Sequence, residues 1–340
     1  MRLILVSILT ILANINIYAQ GCCSGGAGSP IAGGAASGVL QEYQMEISAN
    51  YQFNKSNSFY TGSKLTEPLF DNLTSNYMFF RTDYGVSKKL TLSLATGYYL
   101  DKSLIESDNT DTTTSKGFGN LIILPRYSIY NKSQNFKRTE IALGLGVMLP
   151  LGTHMDSTLV YSDEWIGDIY SLNPPTVQTT SGSNDFMLYS FFFQEYQKRK
   201  LRLFMTTLLI KKGYNSLGIK FGDYSSLGIF VSKTIFRQWS VTTQLKLEHV
   251  GKIKSAENID LLAYYNIDPI STGSNKAFFI PQISYSRNGL TFFATSEIPV
   301  YQYLHGTQVG SNQQFTFGIN YRFLTKEFEP EFKPEFKLNK

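Results

Sequence analysis

The chain has 340 residues, 17% of them charged and 14% aromatic, and its mean hydropathy of -0.14 excludes a bundle of membrane-spanning helices. The same average is compatible with membrane strands, because lipid-facing and inward-facing side chains alternate and their hydropathies cancel. The formal net charge of +5 comes from scattered Lys and Arg rather than from a basic run interleaved with aromatics, so we expect no nucleic-acid partner.

Residues 1–19 have the composition of a secretory signal peptide. Arg2 precedes a short apolar run, and Ala19 is a small residue suited to cleavage. The run is too short to span a membrane as a helix. We therefore expect this segment to be removed as the chain is secreted.

Residues 20–41 form a leader rich in Gly and Ala, which carries the two cysteines of the chain, Cys22 and Cys23. Lipidation of Cys22, a disulfide between these neighbours and thiols without a role are three open alternatives. Two adjacent thiols supply too few ligands for a metal site. We expect neither a metal nor another cofactor.

From residue 42 onward, apolar and polar side chains alternate with a period of two, which is typical of β-strands. The alternation divides into twelve segments of roughly 10 to 14 residues, and tight and long connections follow one another strictly. The longest loop covers residues 150–183, and residues 305–312 are predicted as a further loop. The predicted strands lie at residues 43–53, 79–86, 90–100, 121–130, 141–149, 184–197, 201–211, 224–236, 238–250, 277–286, 290–301 and 315–323.

Bacterial outer-membrane barrels combine an even number of strands with short periplasmic turns and long outer loops. The predicted fold is therefore all-β, an antiparallel transmembrane β-barrel of twelve strands over residues 42–323. Both termini are expected in the periplasm, where residues 324–340 form a charged, disordered tail. The apolar face of each strand is expected to contact outer-membrane lipid, with aromatic residues near the strand ends.

The last strand carries a recognisable pattern of four residues, Thr316, Gly318, Tyr321 and Phe323. A polar residue, a glycine and two aromatics two apart resemble the last-strand signal by which bacterial outer-membrane barrels are recognised for insertion. The resemblance implies that the barrel-assembly machinery is a partner and that the cell outer membrane is the location.

The inward faces of the predicted strands carry charges of both signs. These charges either pair into a network that fills the lumen or line a polar path, and twelve strands lie between the packed eight-stranded and the open sixteen-stranded barrels. The leader either enters the lumen as a plug or is a flexible tether, since about 20 residues at roughly 3.3 Å each reach across a core of about 30 Å. The lumen-lining candidates are Glu46, Arg81, Asp83, Arg126, Arg202, Lys246, Glu248, Glu297 and Arg322.

Two Gly-rich fragments, at residues 117–127 and 144–152, resemble motifs of the outer-membrane barrels grouped under the meta-pathway of phenol degradation. The Cys-Cys-Ser-Gly-Gly leader and its processing site are similar to those of uncharacterised outer-membrane transporters of the Bacteroidetes. These resemblances imply passage of small, apolar or aromatic molecules across the outer membrane. We expect a passive pore or transporter for small solutes, with the oligomeric state left open.

The sequence also bears on two other classes of function, an enzyme and a structural or ligand-binding barrel. Outer-membrane phospholipase has a catalytic His and Ser two residues apart, and none of His154, His249 and His305 has Ser at that spacing, so we expect no enzyme. A structural or ligand-binding barrel would instead use the longest loop, in which Tyr161, Trp165 and Tyr170 are the expected contacts.

Overall fold

The computed structural model describes residues 38–105, 112–165, 167–265 and 267–326. The predicted signal peptide, both cysteines, most of the leader and most of the tail lie outside the described residues. The described part begins inside the predicted leader and ends just after the last barrel strand.

Twelve long antiparallel strands form a closed barrel, which confirms the predicted fold class. Each strand pairs with its neighbours in sequence, and the first strand pairs with the last over residues 44–53 and 315–324 to close the ring. The strands are β1 Gln44–Ser56, β2 Asn72–Ser87, β3 Leu90–Ile105, β4 Asn120–Gln134, β5 Lys137–Pro150, β6 Asp185–Tyr196, β7 Leu201–Lys211, β8 Tyr224–Thr234, β9 Trp239–Val250, β10 Ser274–Arg287, β11 Leu290–Val309 and β12 Gln314–Leu324.

Because apolar and polar side chains alternate along the strands, the outer and inner surfaces of the barrel wall differ in polarity. Ile47, Leu145 and Phe317 are exposed on the outside, whereas their neighbours in sequence point inward. An apolar outer face and a sheet without free edges satisfy the requirements of a lipid environment, where backbone polar groups find no water. Among the described residues, no helix is long and apolar enough to cross a membrane.

The five tight turns lie at one end of the barrel, which we call the short-turn end. Tyr43 N donates to Gly85 O at 2.8 Å beside the β2–β3 turn, and Thr325 N donates to Tyr43 O at 2.8 Å. Both ends of the barrel chain therefore lie at the short-turn end. That this end faces the periplasm stays a prediction.

The long-loop end contains more regular structure than the sequence indicated. The prediction of a loop at residues 305–312 was wrong over His305 to Val309, because these residues continue β11 and pair with Phe59–Gly62. Polar strand extensions beyond the membrane lack the apolar alternation that marks a strand. The additional elements at this end are Phe59–Gly62, Lys64–Thr66, Thr112–Phe118, Ser157–Asp163, Gly167–Leu172, Ile219–Lys220 and Lys254–Ser255, an α-helix Leu261–Tyr265 and a 3-10 helix Pro269–Ser271. Another 3-10 helix, Gln197–Arg199, forms the β6–β7 turn at the short-turn end.

The last strand has a packing role besides its predicted part in insertion. Thr316 and Gly318 face inward, whereas Tyr321 and Phe323 face outward with their rings 5.2 Å apart. A Cβ on Gly318 would lie 2.0 Å from Cζ of Phe293, so only a glycine leaves room for this inward ring beside the barrel closure. Recognition of the four residues by the assembly machinery stays a prediction.

We expect Gly318→Val to destabilise the folded barrel by about 1–3 kcal/mol, because the added side chain overlaps the Phe293 ring. Guanidinium unfolding of the protein in detergent micelles measures the change. The double variant with Phe293→Ala should recover much of the stability, since the ring is gone. If assembly in cells stays defective although the double variant is stable in vitro, the glycine acts as an insertion signal as well. Loss of stability unaffected by Phe293→Ala would contradict the packing role.

Candidate functional site in the barrel lumen

The inner wall of the barrel is divided into two unlike arcs. On strands β2 to β7 most inward side chains are apolar or aromatic and buried, and we call them the apolar arc. The remaining strands present mainly Ser, Thr, Asn and Gln, such as Ser48, Asn50 and Thr242. The apolar arc comprises Tyr77, Phe79, Ala95, Tyr99, Ile122, Leu124, Ala142, Met148, Met187, Tyr189, Phe191, Phe193, Phe204, Leu208 and Ile210.

Sequence reasoning missed the apolar arc because it looked for charges on the inward face. A usable signal was present in β2, where Phe79 shares a face with Arg81 and Asp83. An aromatic residue in phase with charged residues cannot face lipid if they face the lumen. The same reasoning places Tyr99 inside.

Five of the predicted lumen residues form one ionic network near the short-turn end. The Asp83 carboxylate forms two ion pairs, one with Arg81 Nε at 3.0 Å and one with Arg126 Nη2 at 3.0 Å. Arg81 Nη2 also pairs with Glu46 Oε1 at 3.0 Å, and Arg322 pairs with the second oxygen of Glu46. The cross-strand register causes this grouping, since Glu46 lies opposite Asp83 on β2 and opposite Arg322 on β12.

Three further candidates form a second network on β9 and β11, farther from the short-turn end. Lys246 Nζ lies 2.5 Å from Glu297 Oε1 and 3.4 Å from Glu248 Oε2, and Tyr224 donates its hydroxyl to Glu248 at 3.1 Å. The Lys246 ammonium also lies 4.4 Å from the centre of the Phe278 ring. An ammonium held by two carboxylates and an aromatic face is well compensated in a partly dry environment.

The ninth candidate, Arg202, belongs to neither network. Its Nη2 donates to Thr234 Oγ1 at 2.8 Å near the short-turn end. Conversely, the sequence analysis omitted Glu140, which is buried inside β5 and pairs with Arg138 Nη2 at 2.6 Å. Glu140 shares the inward face of β5 with Ala142 and Gly144, two and four residues further on. This spacing could have predicted that Glu140 faces the lumen.

Residues 38–43, which we call the N-terminal segment, cover the short-turn end. Leu40 N donates to Thr91 Oγ1 at 2.8 Å and Val39 N donates to Glu140 Oε1 at 2.7 Å. Gly38 lies against the Glu140 carboxylate and the ring of Phe191, and Val39 packs against the apolar arc. Followed from β1 backwards, the chain crosses from the rim into the lumen.

Residues 173–183, which we call the inserted segment, cover the long-loop end. Val177 is 0% exposed and packs with Phe59, Leu73, Leu104 and Val309. The Lys102 ammonium holds the neighbouring backbone by donating to Gln178 O at 2.7 Å. Val177 follows β5 and Val309 ends β11, which lies across the ring from β5 and β6, so the inserted segment spans the mouth of the barrel.

The middle of the longest loop, residues 157–172, is exposed to solvent. Its hairpin, Ser157–Asp163 with Gly167–Leu172, holds Trp165 at 95% exposure and Tyr161 half exposed. The predicted contact residues of this loop are therefore accessible to solvent. Only residues 173–183 turn back into the mouth.

One His and one Ser do meet in the loops, although they are far apart in sequence. His154 Nε2 lies 2.8 Å from Ser216 Oγ beside a cavity of about 20 Å³, which has room for one water molecule. In the described part of the chain, no carboxylate is hydrogen-bonded to His154, and no group of three metal-ligating side chains occurs. The absence of enzymatic activity stays a prediction.

The fold is similar to that of known outer-membrane proteins. An outer-membrane channel from Pseudomonas putida F1 superposes with a TM-score of 0.59 at 11% identity, over 84% of this chain and 97% of that chain. The NanC porin (TM-score 0.42, 10% identity, 82% and 98% coverage) and the β domain of the Bordetella autotransporter BrkA (0.43, 9%, 82% and 99%) are more distant. No known sequence family and no curated protein matches the chain.

The closed ring, its apolar outer face and the similarity to the Pseudomonas channel together identify the fold of an outer-membrane barrel. The predicted outer-membrane location is thereby confirmed. The finer resemblances, to phenol-pathway barrels and to transporters of the Bacteroidetes, have no support from a sequence family.

We expect Asp83→Asn to destabilise the barrel by about 3–5 kcal/mol, because it leaves Arg81 and Arg126 facing each other without the buried carboxylate between them. Guanidinium unfolding in micelles measures the loss. Asp223→Asn is the matched control, since its pairs with Lys211 and Lys220 lie at the exposed rim and the amide oxygen can still accept the hydrogen bond from Lys212 N, so the loss should stay below about 1 kcal/mol. Equal effects of the two substitutions would contradict the central role of Asp83.

We expect the outer loops to loosen in acid. Partial burial lowers the pKa of the His154 ring below its ordinary value of about 6.5, so the opened loop binds a proton more readily than the packed loop. Stability from His154 packing is therefore present at neutral pH and is lost as the pH falls through about 6.5 and below. Amide hydrogen exchange of residues 151–184, corrected for intrinsic rates, should accelerate between pH 7.5 and 5.5.

His154→Gln should remove this pH dependence, whereas His249→Gln at the end of β9 should leave it in place. A pH dependence that persists in His154→Gln would assign the effect to other groups.

Proposed function

We propose that the protein is a passive channel for small solutes that have an apolar or aromatic body and a polar group. The observation that carries the proposal is the division of the inner wall, with the apolar arc facing an arc of Ser, Thr, Asn and Gln. A solute with an apolar body and a polar group would enter such a lumen at a small cost in desolvation free energy. Its apolar face would contact the apolar arc, and its polar group could form hydrogen bonds to the opposite wall. The resemblance to phenol-pathway barrels is compatible with aromatic solutes.

The channel is closed at rest by two covers. The inserted segment spans the long-loop end, and the N-terminal segment covers the short-turn end. Passage of a solute requires that both covers move. The inserted segment is anchored by Val177 and by the hydrogen bond from Lys102, and further hydrogen bonds join Asn173 to Ser115 and Ser181 O to Asn215. Its displacement has to break these contacts together.

The leader, residues 20–41, acts in this proposal as a plug. Its last residues already run from the barrel rim to Phe191 in the lumen, which supports entry from the short-turn end. We place this end, with both termini of the barrel, in the periplasm. Small Gly and Ala side chains suit the space between the two arcs, and the plug would carry Cys22 and Cys23 into the lumen.

The second candidate function is a ligand-binding barrel that acts through its outer loops. It is favoured by the exposed hairpin over Ser157–Asp163 and Gly167–Leu172, where Trp165 is almost fully accessible. Deletion of residues 157–172 distinguishes the two functions. Made in protein that also lacks residues 21–40, this deletion leaves the conductance of a channel in place, whereas a loop-based receptor loses ligand binding.

We expect the mature protein to show almost no conductance in a planar bilayer. A variant that keeps only one of the two covers should conduct less than a variant that has lost both. Deletion of residues 21–40 should give brief openings rather than steady conductance, because the short-turn end is then uncovered while the inserted segment still covers the long-loop end. Val177→Asp should add to this by expelling the inserted segment from its apolar site, since a carboxylate is costly among Phe59, Leu73 and Leu104. Single-channel recording of refolded protein measures both effects.

Leu159→Asp is the matched control for the loop substitution, because Leu159 is already exposed on the hairpin. Heat-modifiable migration in gel electrophoresis shows whether each variant is folded. If the variant that combines the deletion with Val177→Asp is folded and silent, the lumen is filled by its own side chains and the channel proposal fails.

A further inference from the structure

The outer surface of the barrel carries an open pocket of about 410 Å³ beside the β10–β11 turn. Its walls combine two aromatic rings of the β10–β11 hairpin, one from β12, an aliphatic side chain and one cation. Pockets of this size accommodate a lipid headgroup with the first part of its chains. The lining residues are Tyr285, Arg287, Asn288, Leu290, Phe292 and Tyr321.

The pocket exists because of the turn between its two walls. Asn288 and Gly289 adopt positive φ angles of 50° and 79°, the conformation of a two-residue hairpin turn. A Cβ on Gly289 would lie 2.3 Å from Arg322 O, and Gly289 O accepts a hydrogen bond from Arg322 N at 2.9 Å. The small turn is thus fastened to β12 and leaves space between Arg287 and Tyr321.

The surroundings of the pocket are those of the membrane interface. Trp239 contacts Tyr285 at 5.1 Å between ring centres, and Tyr321 stacks on Phe323. Such aromatic residues lie at the level of lipid headgroups in membrane barrels. Below them, at residues 290–292, the pocket wall becomes aliphatic and aromatic, where acyl chains begin.

Charge is the second argument for the occupant. In the part of the chain that the structure describes, no carboxylate pairs with Arg287, and no acidic residue lines the pocket. Other short turns are also basic, so the whole rim has a positive potential that attracts anionic lipids. A guanidinium binds a phosphate through two parallel hydrogen bonds, and among the residues that line the pocket Arg287 is the one that carries this group. The basic residues of the short turns are Lys88, Lys89, Lys198, Arg199, Lys200, Arg237 and Arg287.

We propose that this pocket binds an anionic phospholipid of the leaflet at the short-turn end, with its phosphate on Arg287 and its acyl chains along Leu290, Phe292 and Tyr321. The site is independent of the proposed channel function, because it lies on the outside of the wall. Its occupant seals the groove between β10, β11 and β12 next to the closure of the barrel.

The two Trp residues of the chain make the site measurable. Trp165→Phe removes the exposed outer Trp and leaves Trp239, beside Tyr285, as the sole reporter. This variant is reconstituted in phosphatidylcholine vesicles that contain a small fraction of acyl-brominated phosphatidylglycerol, or the same fraction of brominated phosphatidylcholine. Brominated chains quench Trp fluorescence only on contact. We expect the anionic lipid to be enriched about fivefold next to Trp239 relative to its mole fraction.

Arg287→Gln should reduce the quenching by phosphatidylglycerol to that by phosphatidylcholine, whereas Arg199→Gln, on the β6–β7 turn, should leave it unchanged. Heat-modifiable migration confirms that both variants are folded. Added inorganic phosphate should not reverse the quenching, because the acyl chains hold the lipid. Equal quenching by the two lipids in the parent protein overturns the proposal. Equal losses in Arg287→Gln and Arg199→Gln also overturn it, since they indicate diffuse attraction to the rim.

Discussion

The pairing of β1 with β12 is the contact on which the rest of this structure depends. It joins the two ends of a chain segment of about 280 residues and removes the last free strand edge, which lipid cannot solvate. Because the barrel is closed, every strand has one face toward lipid and one toward the lumen. The outward residues must be apolar, whereas the inward residues can be polar or apolar. The side chains of the lumen can therefore differ between barrels, and in this chain they form one apolar and one polar arc.

The charges of the lumen support the closure from inside. Glu46 lies on β1 and bonds to Arg81 on β2 and to Arg322 on β12, so one carboxylate links three consecutive strands across the seam. Asp83 extends the connection to Arg126 on β4. Pairing at this density means that the charges mainly neutralise one another, and the free polar surface of the wall comes from neutral side chains. Of the two interpretations left open by the sequence, the geometry favours the paired network at this level of the barrel.

Much of the barrel could be predicted from the sequence, because membrane strands impose a period of two and the turns have their own residue preferences. Arg287, Asn288 and Gly289 were sufficient to place one turn to within one residue, since Arg287 is the last residue of β10. Eight of the nine lumen candidates meet in two networks, but the alternation does not reveal which charges will pair, since pairing depends on strand register. The packing of Val177 with Val309 was beyond sequence reasoning, because it joins a loop residue to the end of a strand 132 residues away through ordinary apolar side chains. Strand extensions such as His305 to Val309 were missed because they leave the membrane and lose the pattern.

The inserted segment has a mechanical consequence for the barrel wall. It leaves the ring between β5 and β6 and is bonded near β3 through Lys102 and packed near β11 through Val309. A segment attached to opposite walls limits how far those walls can separate, so the cross-section of the long-loop end is held by a strut as well as by strand pairing. Release of the segment would therefore change the shape of the mouth as well as empty the space that the segment occupies. The walls could then move apart, so a solute would meet a wider and more deformable opening.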